Sequence, residues 1–144
     1  MRALLDVNVL IALFDQDHVF NDRAHDWLER HRAEGIATCP LTENGLVRVL
    51  SHPGYSKTIR LVPAEVVERL ARFCAVQDHQ FWPDAVSLRD PEVIRVEQLV
   101  GPRQVTDLYL LALAVREGGR LVTFDEGIAV SAVVGAEAEY LLVI

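Results

Sequence analysis

Four carboxylates stand where an apolar run ends or a helical pattern begins: Asp6, Glu43, Asp107 and Asp125. Two carboxylates held about 4 Å apart repel by roughly 4 kcal/mol at an effective dielectric near 20, so a converging set needs a proton or a cation. Because every donor atom would be an oxygen, the favoured cation is a hard ion such as Mg²⁺ or Mn²⁺. The pattern predicts a metal site.

Short apolar runs predict the strands that would carry two of these carboxylates. Asp6 and Asp125 each follow such a run directly. One further segment, residues 80–86, fits an edge strand or a loop, because Pro83 could not donate a hydrogen bond inside a sheet. The other predicted strands cover residues 2–5, 36–39, 120–124 and 139–144.

Apolar residues at helical spacing predict the helices between the strands. Glu43 and Asp107 fall in the first turns of two of them. The last predicted helix is apolar around most of its circumference, so it must be buried on nearly all sides. The predicted helices cover residues 9–14, 21–33, 40–50, 63–74, 91–100 and 107–117.

Strands that alternate with helices predict an α/β fold, in which helices flank a mainly parallel central sheet in three layers. Ligands of such sheets bind beyond the carboxyl ends of the strands, where Asp6 and Asp125 lie. Glu43 and Asp107 open helices that point toward the same edge. We therefore expect the topology to bring the four carboxylates together.

Length and composition predict one domain over residues 1–144, because 51% of the residues are hydrophobic and no linker interrupts them. No apolar run has the roughly 20 residues of a membrane span, and the N-terminus lacks a signal pattern, so we expect a cytoplasmic protein. Cys39 and Cys74 show no spacing typical of zinc or redox sites. They are interpreted as buried free thiols.

The formal net charge of −7 argues against a permanent basic surface that binds nucleic acid. It does not exclude an enzyme that acts on nucleic acid, because a bound divalent ion reverses the local sign where a phosphate approaches. Four basic residues close in sequence to Glu43 fit either a phosphate contact or an ordinary solvated face: Arg48, His52, Lys57 and Arg60.

Five segments fall in a fixed order along nearly the whole chain. They are LLDVNVL (residues 4–10, with His18 and Trp27 beyond it), TE (42–43), FWPD (81–84), TDLYLLA (106–112) and LVTFD (121–125). Each segment is weak evidence alone, but the ordered set is specific. The chain resembles the PIN-domain ribonucleases, and in particular the VapC-type toxins of bacterial toxin–antitoxin pairs.

The resemblance implies a PIN-like fold and a Mg²⁺-dependent endoribonuclease, with Mn²⁺ as a substitute ion. It places Asp6, Glu43, Asp107 and Asp125 at the acidic positions of the family. As a hypothesis, Asp6 and Asp107 bind the ion most directly and Asp125 is a metal ligand directly or through water. Glu43 would hold a metal-bound water or help to deprotonate it. Three polar residues match positions that would orient the acids: Asn8, Thr106 and Thr123. Glu126, directly after Asp125, is an extra acid that either faces solvent or competes as a ligand.

The resemblance also implies partners that the residues do not display. They are an RNA substrate, an antitoxin protein whose C-terminal segment occupies the acidic groove, and a second copy in a homodimer, with no membrane involved. The alternative from another class is a non-catalytic PIN-like module that binds protein or RNA. Unneutralised carboxylates argue against that alternative, because they destabilise a fold and add nothing to a passive surface.

Each candidate also has a purely structural interpretation. Asp6 and Asp107 fit helix capping or a favourable charge at a helix N-terminus, and Thr106 fits an N-cap. Glu43 fits an exposed first-turn acid, and Asp125 fits a turn residue ahead of Gly127. Only the joint placement of the four acids favours a site.

Overall fold

The structure is a computed structural model that describes residues 1–144, and its centre is one five-stranded sheet. The strand order is β3-β2-β1-β4-β5, and every neighbouring pair is parallel. The predicted parallel α/β fold is therefore confirmed. The strands are β1 (Ala3–Leu5), β2 (Ile36–Thr38), β3 (His79–Phe81), β4 (Arg120–Thr123) and β5 (Leu141–Val143).

Helices cover both faces of the sheet and make the outer two layers. Leu5 and Leu4 are neighbours in β1 and point to opposite faces, as strand geometry requires. Leu5 packs with the first four helices, whereas Leu4 packs with the fifth. The helices are α1 (Val7–Phe14), α2 (Asn21–His31), α3 (Pro40–Leu50), α4 (Pro63–Ala75) and α5 (Val105–Arg116).

The central elements are buried as the sequence predicts. All three residues of β1 are buried, which suits a strand covered by helices on both faces. Helix α5 buries six of its residues and is covered on most sides: Leu108, Leu110, Leu111, Ala112, Leu113 and Ala114. None of the five helices is long and apolar enough to cross a membrane.

The predicted helix over residues 91–100 is wrong. Ile94 forms an antiparallel bridge with Val133, and only Val96–Gln98 makes a single 3₁₀ turn. The backbone N–H of Arg95 donates to the Ala132 carbonyl at 2.9 Å, so its hydrogen bond leaves the local segment. The β-branched Val93 and Ile94 favour this extended pairing over a helix.

Strand β3 is the edge strand that Pro83 allowed. It covers His79–Phe81, ends before the proline, and pairs with β2 alone. The last strand is shorter than predicted, because Ala138–Tyr140 forms a 3₁₀ turn that leads into β5.

Helices α1 and α3 approach closely beside the end of β1. A Cβ atom at Gly45 would lie 2.7 Å from Val7 Cγ2, so only glycine fits at this crossing without displacing its neighbour. Val7 is the first residue of α1 and directly follows Asp6. The packing of the two helices therefore fixes where the first candidate carboxylate stands.

Candidate active site

Asp6 stands between the end of β1 and the start of α1. It is the N-cap of α1, and its Oδ1 accepts a 2.7 Å hydrogen bond from the backbone N–H of Val7. The capping interpretation is therefore correct for one oxygen of the carboxylate. The side chain is 6% exposed, which leaves the second oxygen to protein partners.

Thr123, the last residue of β4, binds that second oxygen. Its hydroxyl donates a 2.6 Å hydrogen bond to Asp6 Oδ2. Thr123 Oγ1 accepts from Asn8 Nδ2 at 3.1 Å and from the backbone N–H of Asp125 at 3.1 Å. Thr123 and Asn8 thus hold Asp6 through contacts between the end of β4 and the start of α1.

Asp107 lies in the first turn of α5 and is half-buried. Burial raises the pKa of Asp107 to about 6, and the negative charges of Asp6 and Asp125 act in the same direction. Burial also raises the pKa of Asp6, although its hydrogen bonds with Thr123 and Val7 oppose the effect. Both carboxyl groups therefore resist ionisation, chiefly because of burial.

Asp125 completes this group from the turn after β4. Its side chain is exposed, and its Oδ1 accepts a 2.7 Å hydrogen bond from the backbone N–H of Gly127. The turn interpretation therefore also holds. The negative charge of Asp125 adds to the effects of burial and of Asp6, which raise the pKa of Asp107. The structure thus brings together Asp6, Asp107 and Asp125.

Glu43 belongs to a separate hydrogen-bonded group. The hydroxyl of Thr38 donates a 2.6 Å hydrogen bond to Glu43 Oε1. The charge of Glu43 raises the pKa of Cys74 and acts on His79, but it is not among the charges that act on Asp6 or Asp107. The convergence of Glu43 with the three aspartates stays a prediction.

The two groups differ because their threonines lie on opposite faces of the sheet. Thr38 shares a face with Ile36, which packs with helices α1 to α4. Thr123 shares a face with Leu121, which packs with α5. Both threonines are the last residues of their strands, so both groups lie at the carboxyl edge of the sheet, on opposite faces.

Two polar residues near the acids do not contribute to the group. Thr106 is exposed in the first turn of α5 and makes no side-chain hydrogen bond, and the N-cap of that helix is Gln104. The N-cap interpretation of Thr106 is therefore wrong, and no contact with the acids supports an orienting role. Glu126 is exposed, as one of its two interpretations has it.

Thr38 and His79 are the residues that sequence reasoning missed. Thr38 is fully buried, and its Oγ1 lies 2.7 Å from His79 Nε2 as well as 2.6 Å from Glu43. The available signal was a hydroxyl in an otherwise apolar strand. His79 is not spaced from any other histidine as metal ligands are. A search for metal-ligand spacing cannot detect a histidine whose partner is the hydroxyl of Thr38.

The donor set fits a hard divalent cation. All of its donor atoms are carboxylate oxygens, which are the ligands that Mg²⁺ and Mn²⁺ prefer. No three Asp, Glu, His or Cys side chains lie close enough together to hold an ion as they stand.

The chain is similar to known proteins along nearly its whole length. The sequence profile of the PIN domain matches residues 3–134. Ribonuclease VapC44 of Mycobacterium tuberculosis is 50% identical over 141 residues, which are 98% of each chain. Ribonuclease VapC39 of the same organism is 43% identical over 135 residues, which are 94% of this chain and 96% of that protein.

A solved structure shares the fold. The match is a chain of VapBC2 from Rickettsia felis, in a crystal structure bound to a DNA fragment from their promoter. The TM-score is 0.60 with 18% sequence identity, over 88% of this chain and 90% of that chain. At this identity the likeness supports the three-layer architecture and no more.

Proposed function

The chain belongs to the PIN domain family, and from this premise we propose that it is a metal-dependent endoribonuclease, the toxin of a type II toxin–antitoxin pair. The observation that carries the proposal is that the charges of Asp6 and Asp125, which follow neighbouring strands of the parallel sheet, act on Asp107. Relatives matched along nearly their whole length are named ribonucleases. Residues 1–144 form one PIN-like domain in this proposal.

Asp6, Asp107 and Asp125 would hold the divalent ion, Mg²⁺ or in its place Mn²⁺. When bound, this ion supplies the positive charge that activates water and stabilises the phosphoryl oxygens. Thr123 and Asn8 keep the Asp6 carboxylate in one orientation through the hydrogen bonds described above. The orientation of Asp6 is thereby set before the substrate arrives, which lowers the cost of reorganising this carboxylate during the reaction.

Glu43 would accept the proton of the attacking water. Support comes from its place beyond the end of β2, the strand next to β1, and from the short Thr38 bond that fixes its carboxylate. The water oxygen forms a bond to phosphorus, the bond to the leaving ribose oxygen breaks, and that oxygen takes a proton from solvent. The RNA is cut without any covalent intermediate on the protein.

The proposed partners follow from charge and from the family. RNA is the substrate, an antitoxin covers the acidic groove in the resting complex, and two copies form a homodimer in the cytoplasm. The structural neighbour comes from a VapBC2 complex, which supports a protein partner. A groove rich in carboxylates in a chain of net charge −7 favours a basic side chain of that partner.

The deciding experiment is cleavage of total RNA by the purified chain, freed of bound protein, with Mg²⁺, with Mn²⁺ and with chelator. Metal-dependent fragments should appear with wild type and disappear with Asp6→Ala. Asp22→Ala removes an exposed aspartate of α2 and should cleave like wild type. Equal cleavage by Asp6→Ala, or cleavage in chelator, would refute the site.

One observation favours a second candidate, a non-catalytic binding module. The three aspartates are not at metal-ligating separation as they stand. That candidate requires a folded wild type that binds RNA or protein and cleaves nothing with either ion. Calorimetric titration with Mn²⁺ then separates a module that holds the ion from one that does not.

A further inference from the structure

Thr38 joins two titratable side chains from different elements. It ends β2, whereas Glu43 lies in the first turn of α3 and His79 begins β3. His79 pairs with Ile36 in the sheet, two residues before Thr38, so the two side chains lie on the same face. The resulting distances are 2.6 Å from Thr38 Oγ1 to Glu43 Oε1 and 2.7 Å to His79 Nε2.

The Thr38 hydroxyl has one proton, and the position of that proton determines the direction of both hydrogen bonds. An ionised carboxylate only accepts, so the Thr38 hydroxyl proton points to Glu43. The oxygen of Thr38 can then only accept from His79, which requires a proton on Nε2. The chain of donors therefore runs from His79 through Thr38 to Glu43, and it fixes the tautomer of the ring.

A buried hydroxyl at this position needs an explanation. Thr38 is fully buried at the end of an apolar strand, where valine would fill the same volume without a desolvation cost. Two short hydrogen bonds offset that cost, and the partner in each is a titratable side chain, Glu43 or His79. Packing alone does not require them.

We propose that His79, acting through Thr38, is a positioning residue that holds the Glu43 carboxylate in the orientation needed to accept the proton of the attacking water. This inference rests on the proposed function. It adds two residues to the reaction, neither of which touches the substrate.

The charges around His79 are consistent with a neutral ring. Burial lowers the pKa of His79, the charge of Glu43 from α3 opposes this, and the Arg2 guanidinium ahead of β1 adds to the lowering. Arg2 is itself bound to Asp78 at 2.9 Å, next to His79 in sequence. Burial raises the pKa of Cys74 of α4, and the charge of Glu43 adds to this effect. A neutral ring carries one proton, and the Thr38 bond places it on Nε2.

The first test reads the tautomer directly. Nitrogen-15 NMR of the histidine rings of the full chain, with His79 assigned from its variant, should show Nε2 protonated and Nδ1 bare at about pH 8. Thr38→Val removes the acceptor and should mix the tautomers, whereas Thr38→Ser should keep the wild-type pattern. A proton on Nδ1 in wild type, or an unchanged pattern in Thr38→Val, would overturn the hydrogen-bonded chain.

The second test separates positioning from a general effect on folding. His79→Leu should lower kcat about ten-fold with little change in KM, and His79→Gln, which keeps an N–H donor, should recover most of it. In a Glu43→Ala background, His79→Leu should cause no further loss. An additive loss in that background, or no rescue by glutamine, would overturn the positioning role.

A control variant completes the second test, and a failure of the ribonuclease proposal can be told apart from a failure of the hydrogen-bonded chain. His25→Gln changes an exposed histidine bound to the Leu13 carbonyl and should leave kcat unchanged. If wild type cleaves no RNA while His79 shows the expected tautomer, the ribonuclease proposal fails, and the positioning role fails with it. The NMR result would still establish the chain of hydrogen bonds.

Discussion

The hydroxyl of Thr123 donates a 2.6 Å hydrogen bond to Asp6 Oδ2, which joins residues 117 positions apart in sequence. The bond stabilises the ionised form of Asp6 and so opposes the effect of burial on its pKa. It also leaves Asp6 with both oxygens engaged, because Val7 occupies the other. The orientation of the most buried acid in the site thus depends on one threonine.

Thr123→Val should therefore weaken divalent-ion binding without unfolding the protein. The variant keeps the volume of the side chain but removes the donor, so the pKa of Asp6 should rise further and its carboxylate should lose its orientation. We expect about a ten-fold loss of Mn²⁺ affinity by calorimetry. Thr123→Ser keeps the hydroxyl and should bind almost as wild type does; equal affinities for all three proteins would contradict the role of this bond.

Stability of the metal-free protein should fall as pH rises. Asp107 has a pKa of about 6 in the folded chain against an ordinary value of 3.8, so between these values the folded state holds a proton that the unfolded state has released. Folding then becomes less favourable with increasing pH, by on the order of 1 kcal/mol after allowing for solvent screening. Thermal unfolding in chelator between about pH 4.5 and 7 measures the trend.

The same unfolding measurement with Asp107→Asn shows how much of the pH dependence of stability comes from Asp107. The amide does not titrate, so the fall in unfolding temperature over this window should be smaller than in wild type. Asp6 keeps its raised pKa and a residual slope. A slope as steep as that of wild type would show that other groups dominate.

Divalent ions should reverse this pH trend. An ion binds the ionised carboxylates and competes with protons, so its stabilising effect should be large at about pH 7.5 and small at about pH 5. The unfolding temperature with and without about 10 mM Mg²⁺ at the two pH values tests this expectation. Equal stabilisation at both values would indicate an ion bound away from Asp107.

Asp107→Asn should abolish RNA cleavage while making the metal-free protein more stable at neutral pH. Removing one negative charge relieves repulsion with Asp6 and Asp125, but it also removes a ligand. We expect a loss of at least about 100-fold in kcat. The opposite signs of the two effects distinguish a functional acid from a structural one, because losing a purely structural acid lowers both quantities.

Much of the fold could be predicted because it depends on local patterns. The run through β1 is apolar at every position, and α5 is apolar on nearly all sides, so both had to be central. Residues 91–100 were mispredicted because Val93 and Arg95 make backbone hydrogen bonds with Val134 and Ala132, which no local pattern reveals. Pairing between distant segments overrode the helical spacing.

The site was predictable to the extent that topology determines it. Parallel strands place Asp6 and Asp125 at one edge, whatever their register. Whether Glu43 faces the aspartates depends on the faces to which Thr38 and Thr123 point. That choice is set by register between strands, and a single sequence does not show it.

Gly45→Ala should destabilise the protein and reduce cleavage although it touches no carboxylate. Alanine favours a helix over glycine by up to about 1 kcal/mol, but its Cβ would lie 2.7 Å from Val7 Cγ2. Val7 is β-branched and stiff, so α1 must shift, and Asp6 shifts with it. We expect a net loss of about 1–2 kcal/mol in the free energy of unfolding by urea. Gly101→Ala meets nothing within 4 Å and should change that free energy by less than about 0.5 kcal/mol. If Gly45→Ala were as stable and active as this control, the close approach of α1 and α3 would not be what positions Asp6.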